Sequence, residues 1–188
     1  MCFPRPKTLS VCHIFLQSPR FFSLLGQIDA DLAATAKAQC CPCGGVLHNA
    51  NYPRKPRGCP IGLRPDFEFR FSFCCATCRK RTTPVSVRFL GRRVYLSVLV
   101  VLLSVRQGGS GTSHGLCQTP GVPIRTLMRW RSWWEALFPA TALWQAQCAR
   151  FMPPVSTDDL PSSLMGRFAG SEKASLIRFL TFLTPLTI

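Results

Sequence analysis

Two cysteine-rich segments, "CCPCGG" at residues 40–45 and "CCATCRKR" at residues 74–81, lie on either side of a stretch rich in arginine, proline and phenylalanine. Each segment contains a doubled cysteine. Two disulfide bonds, a catalytic pair of thiols or one metal ion bound by both segments would each account for this pattern. The choice among the three decides the fold of the region between the clusters, and with it most of what the chain does.

The cysteine content and the N-terminal sequence favour reduced thiols. The chain of 188 residues contains eleven cysteines, an odd number that cannot be paired completely in disulfides. Pro4 and Pro6 interrupt the first sixteen residues, so these do not match an export signal with a continuous apolar core. We therefore expect a cytoplasmic protein in a reducing compartment, where disulfides are rare and cysteine clusters bind metal.

The spacing of the cysteines is typical of a zinc site. Two Cys-x-x-Cys turns bring four thiolates to one tetrahedral Zn²⁺, and glycines after the first turn permit a tight bend. Such a site has no open position for water, so the metal would be structural. Free buried thiols are the competing interpretation. The candidate ligands are Cys40, Cys41, Cys43, Cys75 and Cys78.

The doubled cysteines leave the ligand set open. Cys40 and Cys43 form one Cys-x-x-Cys pair, but Cys41-Pro-Cys43-Gly also resembles a metal-binding knuckle. In the second cluster, Cys74 is an alternative to Cys75 as a ligand. The remaining reserve ligands are Cys59 and His48.

Hydrophobic periodicity predicts several elements. Residues 20–38 have helical spacing, whereas the alternating phenylalanines of "DFEFRFSFCC" (66–75) predict a half-buried strand that leads into the second cluster. Residues 85–94 are a candidate further strand. The apolar run "VYLSVLVVLLSV" (94–105) has twelve residues, and a membrane span needs about 20, so we expect a buried element.

Positive charge dominates the chain and is concentrated around the clusters. Lys and Arg total 23 against 8 Asp and Glu, a formal net charge of +15. Such an excess is typical of proteins that bind nucleic acid, because phosphate contacts release counterions. A solvated basic surface is the alternative. The candidate phosphate-binding residues of this region are Arg54, Lys55, Arg57, Arg79, Lys80 and Arg81.

A second candidate DNA-binding element is the helix predicted within residues 123–138. Apolar residues recur at steps of three and four, and basic residues occupy a different face. A helix of this kind can enter the major groove of DNA, although an amphipathic helix with a solvated basic face has the same periodicity. The apolar stripe comprises Ile124, Leu127, Trp130, Trp134 and Leu137, and the candidate DNA contacts are Arg125, Arg129 and Arg131.

Residues 116–130, "LCQTPGVPIRTLMRW", resemble the helix-turn-helix of bacterial transposases and their accessory proteins, in which "GVS-x-x-T-L-x-R-W" opens the recognition helix. Pro123 replaces the usual Ser or Thr, and a Gly- and Ser-rich stretch lies where the first helix should be. The two cysteine knuckles resemble zinc-ribbon modules that often precede this motif. The resemblance implies a zinc-containing DNA-binding protein associated with a mobile element.

No catalytic constellation accompanies these motifs. Transposases of the carboxylate type hold two metal ions with three acidic side chains, but the eight acidic residues here are scattered. No phosphate-binding Gly loop ends in Lys-Ser or Lys-Thr, and the three histidines lack an associated nucleophile. We expect a protein that is not an enzyme and has no small-molecule substrate.

The expected fold class is α+β, with a small zinc ribbon of short antiparallel strands before a mainly helical segment. The expected function is non-catalytic DNA binding, with a nucleoid-associated location. Alternatives are a protein-interaction module that uses the ribbon and the tryptophans of residues 130–134, a basic protein on a membrane surface that uses residues 175–188, and a mis-started reading frame. The expected segments are a leader (1–20), a helix (21–38), a zinc-ribbon-like module (39–93), a helix-turn-helix-like region (94–150) and a helical tail (151–188).

Overall fold

The computed structural model describes residues 11–91, 93–105 and 122–187. The first described elements are helices α1 (Val11–Leu16) and α2 (Pro19–Ala38). The hydroxyl of Ser18 caps α2 by accepting a hydrogen bond from the backbone N–H of Phe21 at 3.3 Å, and Pro19 occupies the first turn, where its missing N–H is not needed. Helix α2 occupies the segment in which the periodicity predicts a helix.

Five short strands follow, and all of their pairings are antiparallel. The first sheet has the order β1-β4-β5 and the second has the order β2-β3. In the first sheet Leu47 lies opposite Cys75, and Phe73 lies opposite both Asn49 and Thr82. This register places the two cysteine segments at the same end of the β1-β4 pair. The strands are β1 (Leu47–Asn49), β2 (Tyr52–Pro53), β3 (Phe69–Arg70), β4 (Phe73–Cys75) and β5 (Arg81–Thr82).

The prediction of one continuous strand over residues 66–75 is wrong. A short helix α3 (Arg64–Phe67) precedes two separate strands, β3 and β4, which belong to different sheets. The phenylalanines divide between two hydrophobic clusters, because Phe67 is in the main core and Phe73 packs beside the cysteines. Between the strands, Ser72 donates its N–H to the side chain of Asn51 rather than to a neighbouring strand.

The further strand predicted at residues 85–94 is also wrong. The backbone N–H groups of this segment bond to side chains instead of to a sheet: Val87 donates to Asp29 Oδ1 at 2.7 Å, and Phe89 donates to Ser86 Oγ at 3.2 Å. Its strand-like pairing among the described residues is an isolated bridge between Phe89 and Leu96. A buried polar network therefore replaces the expected ladder.

The apolar run at 94–105 is a buried element, as its length predicts. It contains helix α4 (Ser97–Leu102), in which every residue is buried. Gly58, at φ +80, lies directly against the side chain of Leu99, so a larger residue would displace this helix. In the part of the chain that the structure describes, no helix is long and apolar enough to cross a membrane.

The described residues from 122 to 187 are mainly helical. Helix α5 (Ile124–Ser132) continues as a π-helical turn, Trp133–Leu137. Thr141 and Ser171 cap the helices that follow them, because each side chain accepts a hydrogen bond from a backbone N–H three residues later. The further helices are α6 (Ala142–Gln147), α7 (Ser162–Met165) and α8 (Glu172–Phe182), with single 3₁₀ turns at Ile61–Leu63, Cys148–Arg150 and Thr184–Thr187.

Two hydrophobic clusters hold these elements together. The main core joins α2, α4, α5 and α8, and includes Phe22, Leu99, Trp134 and Phe179, which are fully buried. A smaller cluster comprises Ala33, Cys41, Leu47, Phe73 and Cys75. Helix α2 contributes to both, so it connects the cysteine region to the helical core. The protein combines helices with small antiparallel sheets, which is consistent with the α+β class.

Candidate metal centre

The first cysteine turn follows directly from the end of α2. Cys40 adopts φ +58, in the left-handed region, and so turns the chain away from the helix axis. Cys41 and Gly44 then close a tight turn: the N–H of Gly44 donates to the carbonyl of Cys41 at 2.7 Å. The N–H of Cys41 donates to the carbonyl of Gly45 at 3.1 Å. The turn leads into β1.

The second cysteine turn connects β4 to β5. The N–H of Arg79 donates to the carbonyl of Cys75 at 3.1 Å, and the N–H of Cys75 donates to the carbonyl of Lys80 at 3.0 Å. Arg79 has φ +62, which allows the chain to reverse. A hydrogen bond of 2.9 Å from the N–H of Ala76 to the carbonyl of Val46 fixes this turn beside the first one.

The two turns bring four thiols together. The Sγ atoms of Cys41 and Cys78 are 3.5 Å apart, and so are those of Cys43 and Cys75. All four Sγ atoms lie within 4.8 Å of one another. A tetrahedral zinc with four sulfur ligands requires sulfur–sulfur separations of about 3.8 Å. The cluster can therefore hold a metal ion, and all four cysteines are free rather than disulfide-bonded.

The environment of the thiols favours one thiolate. Hydrogen bonds from the backbone N–H groups of Cys78 and Thr77, and from the neighbouring thiols, lower the pKa of Cys75 to about 6 against the opposing effect of burial. At Cys41 the backbone N–H of Cys43 acts in the same direction, but burial and three neighbouring thiols outweigh it and raise the pKa to about 12. Four thiolates would coexist only around a cation, which supplies the missing positive charge.

The ligand set differs from the pair of Cys-x-x-Cys turns. Cys40, a predicted ligand, is exposed and does not join the cluster; its Sγ lies 3.7 Å from the carbonyl of Ala38. Cys74 lies on the opposite face of β4 from Cys75 and approaches the carbonyl of Arg79 at 3.5 Å. His48, paired with Cys74 in the sheet, is exposed, and Cys59 packs against the main core. The first half-site is Cys-x-Cys, the knuckle considered as the alternative.

Gly45 has a role at the site that its sequence position does not reveal. A Cβ atom at this residue would lie 2.6 Å from Cys75 Sγ and 2.7 Å from the hydroxyl of Thr77. Both distances are shorter than real Cβ contacts, so a side chain here would displace Cys75 or Thr77. The glycine allows the two turns to approach closely. The sequence predicted a different role, in which the glycine only permits a tight bend.

The predicted phosphate-binding residues of the cysteine region differ in their exposure and in the contacts that their side chains already make. Lys55, Arg79 and Lys80 are exposed. Arg54 is half-buried, and its guanidinium donates to the carbonyl of Arg93 at 2.7 Å. Arg57 is exposed with its guanidinium 5.9 Å from the centre of the Tyr95 ring, and Arg81 donates to the carbonyl of Ala50 at 2.9 Å.

Two further arginines near the cysteine clusters do not contribute to the surface of this region. Arg70 is 3% exposed and donates to the carbonyl of Pro84 at 2.7 Å, and Arg88 is 1% exposed and paired with Asp29. The basic surface is therefore smaller than the number of arginines and lysines in this part of the sequence would suggest.

Helix α5 has the apolar face and the basic face that its periodicity predicts, but the buried apolar face contains fewer residues than predicted. Leu127, Trp130 and Trp134 are buried, whereas Ile124 and Leu137 are exposed. The basic residues Arg125 and Arg129 are exposed and Arg131 is half-buried. The segment in which the first helix of the helix-turn-helix is expected, residues 107–121, lies outside the described residues.

Two of the alternative functions lose part of their basis. Trp130 and Trp134 are 5% and 0% exposed and belong to the core, so of the three tryptophans proposed to contact a partner protein only the half-buried Trp133 is accessible. In the C-terminal segment proposed to lie on a membrane, Leu176, Phe179 and Leu180 are buried in the main core. Both segments are used by the fold itself.

No known protein family, curated protein or solved structure matches this chain.

Proposed function

We propose that this protein is a zinc-stabilised, non-catalytic protein that binds duplex DNA. The observation that carries the proposal is the convergence of Cys41, Cys43, Cys75 and Cys78, whose Sγ atoms lie within 4.8 Å of one another. Four thiolates are the donor set that structural zinc prefers. The metal would fasten the end of α2 to the β1-β4 pair.

The role proposed for zinc is structural because all four coordination positions would be filled by sulfur. A catalytic zinc keeps one position for water or substrate. The second turn continues directly into Arg79 and Lys80, both exposed. By fixing this turn, zinc would hold these two charges in a defined position for contact with phosphate.

Charge and the exposed face of α5 support DNA as the partner. The net charge of +15 favours a polyanion, and Arg125 and Arg129 are one turn apart on the exposed side of the helix. Leu127 and Trp130 bury the opposite side. This division between a packed and a basic face is suited to a helix that enters the major groove. Association with a mobile element rests on the resemblance of residues 116–130 to transposase helix-turn-helix segments.

Replacing Gly45 by alanine should weaken zinc binding without unfolding the helical core. The added methyl group would displace Cys75 Sγ or Thr77, and changes beside a metal ligand typically cost about 10- to 100-fold in affinity. Competition titration of the purified protein with a chromophoric chelator measures the change. The control is Gly26→Ala in α2, where a Cβ meets nothing within 4 Å. Equal zinc affinity for Gly45→Ala and the wild-type protein would contradict the proposed geometry.

Binding to duplex DNA should weaken steeply as salt increases. If six phosphates are neutralised, affinity should fall by roughly a thousandfold between 50 and 200 mM salt, because condensed counterions are released. Fluorescence anisotropy with a labelled duplex measures this slope. The double variant Arg125→Ala/Arg129→Ala should reduce both affinity and slope while circular dichroism stays unchanged. Salt-independent affinity would contradict electrostatic binding, and full affinity of the double variant would exclude α5 as the contact.

A further inference from the structure

A cleft separate from the metal centre lies between the segment before α4 and the end of α5. Its volume is about 500 Å³, within the range of small-molecule sites. Two arginines and three aromatic residues contribute to its walls, and no acidic residue does. The lining includes Arg93, Tyr95, Arg129, Trp130, Ser132 and Trp133.

The two arginines make the cleft positively charged and leave N–H donors available to a ligand. The guanidinium carbon of Arg93 lies 4.2 Å from the centre of the Trp133 ring. Within the described ranges this guanidinium has no carboxylate or carbonyl partner, and burial lowers its pKa by removing water. Arg129 makes one long hydrogen bond, 3.3 Å from Nη2 to the hydroxyl of Thr126, which leaves its other N–H groups available.

The aromatic residues form a fixed wall. The rings of Tyr95 and Trp130 meet edge to face with centroids 5.0 Å apart, and Trp133 is held against Trp134 at 4.8 Å. Because Trp130 and Trp134 are core residues, the wall is ordered before any ligand arrives. Tyr95 and Trp130 are only 6% and 5% exposed, so the aromatic surface that a planar ligand can contact is the half-buried Trp133, together with the guanidinium of Arg93 that packs on it.

We propose that this cleft binds one nucleotide unit, with its phosphate between Arg93 and Arg129 and its base against the half-buried ring of Trp133. Two guanidinium groups in a cleft that has no acidic residue in its lining can bind phosphate, and the ring of Trp133 can contact a base through its π face without selecting among the bases. The hydroxyl of Ser132, which also lines the cleft, adds a hydrogen-bond donor or acceptor. A free mononucleotide and an unpaired nucleotide of single-stranded nucleic acid share this chemistry.

The inference goes beyond binding to duplex DNA, in which bases are stacked and inaccessible to the cleft. It needs neither zinc nor Arg125, which does not line the cleft. A protein that does not bind duplex DNA could therefore still bind a nucleotide in the cleft. A protein that binds no nucleotide in the cleft could still bind duplex DNA.

Isothermal titration of the full-length zinc-loaded protein with four probes tests the inference. The probes are AMP, a ten-residue single strand of deoxythymidylate, inorganic phosphate and a phosphotyrosine peptide. Saturable binding of AMP alone would indicate a free nucleotide as the ligand, and tighter binding of the single strand would indicate nucleic acid. Both results support the cleft. Equal affinity for phosphate and AMP, tighter binding of the peptide, or no binding at all would overturn it.

Substitutions locate the binding in the cleft. Arg93→Gln and Arg129→Gln should each weaken binding of the better nucleotide probe by about tenfold, because each removes a charge-assisted hydrogen bond. Arg150→Gln is the control, since it removes an exposed arginine that lies outside both the cleft and the proposed DNA-contact face, and its affinity should stay within twofold of the wild type. Because Arg93 is packed on Trp133, circular dichroism and thermal melting accompany each variant. Full affinity of a folded Arg129→Gln variant, or equal loss in Arg150→Gln, would overturn the assignment.

Discussion

Cys75→Ser should lose stoichiometric zinc and melt the β1-β4-β5 sheet, whereas Cys74→Ser, one residue earlier, should retain both. Cys75 is fully buried and its Sγ is 3.5 Å from that of Cys43. Cys74 lies on the other face of β4, outside the cluster. The two variants differ by one position in a strand and so separate a metal ligand from a nearby thiol.

The effect of Cys75→Ser should exceed that of Gly45→Ala. Loss of a residue that only contacts a ligand typically costs about 10- to 100-fold in metal affinity, and removal of the ligand itself should cost more. Because metal binding is coupled to folding at structural zinc sites, the sheet should unfold with it. Mass spectrometry under native conditions measures zinc content, and hydrogen exchange of β1 and β4 measures the sheet.

A second pair of adjacent cysteines tests the same assignment at the first turn. Cys41→Ser should behave like Cys75→Ser, and Cys40→Ser should behave like the wild type. Full zinc content in Cys41→Ser together with loss of zinc in Cys40→Ser would show that the Cys-x-x-Cys pairing predicted from the sequence is the correct one.

Asp29→Ala should destabilise the protein by about 3–5 kcal/mol, the cost typical of leaving one member of a buried ion pair without its partner. Asp29 is 2% exposed and accepts hydrogen bonds from Arg88 Nε at 2.7 Å, from the N–H of Val87 at 2.7 Å and from the hydroxyl of Ser86. Its removal leaves the guanidinium of Arg88 charged and buried. Urea unfolding followed by tryptophan fluorescence measures the change.

The surroundings of Arg88 explain why the loss should be large. Its guanidinium lies 5.2–5.6 Å from the centres of four phenylalanine rings, so little water reaches it. Its Nη1 donates to the carbonyl of Asp66, and Nη2 has no partner among the described residues. The rings of Phe67, Phe69, Phe71 and Phe89 supply cation–π attraction but cannot replace the carboxylate.

Asp31→Ala is the matched control for Asp29→Ala, because Asp31 is exposed on the same helix and bonds only locally, to Gln27 at 3.0 Å and through its carbonyl to Thr35. Its unfolding free energy should change by about 0.5 kcal/mol or less. The double variant Asp29→Ala/Arg88→Met should recover part of the lost stability, since the uncompensated charge is gone. Equal stability of Asp29→Ala and Asp31→Ala would contradict the buried network.

Elements with local signals could be predicted from the sequence. Helix α2 follows from apolar spacing, and the buried position of α4 follows from a run too short to span a membrane. The basic face of α5 follows from the spacing of Arg125 and Arg129. In each case the information lies within about twenty residues of contiguous chain, which is the range over which periodicity acts.

The metal centre could be predicted as a cluster but not as a set of four ligands. Cys40 and Cys41 are adjacent, and only the left-handed backbone of Cys40 decides which thiol turns inward. Cys74 and Cys75 are distinguished by the register of β4 against β1, which depends on contacts nearly thirty residues away in sequence. Spacing alone is equally compatible with each choice.

The failed strand predictions have a long-range cause. The residues of "VSVRFLGRRV" have strand propensity, but Asp29, almost sixty residues earlier, binds the N–H of Val87 and the side chain of Arg88. The cleft beside Trp133 could not be predicted from local sequence either, because Arg93 contributes to it from a different element. In residues 85–94, tertiary contacts therefore override the local preference for a strand.

The metal content of the reduced protein, purified without added chelator, tests the central claim most directly. X-ray absorption at the zinc edge should show one zinc per chain bound by four sulfur atoms at about 2.3 Å. Chelation should then abolish protection of β1 and β4 from hydrogen exchange. A metal-free chain that retains the same protection, or a zinc with nitrogen or oxygen ligands, would contradict the account.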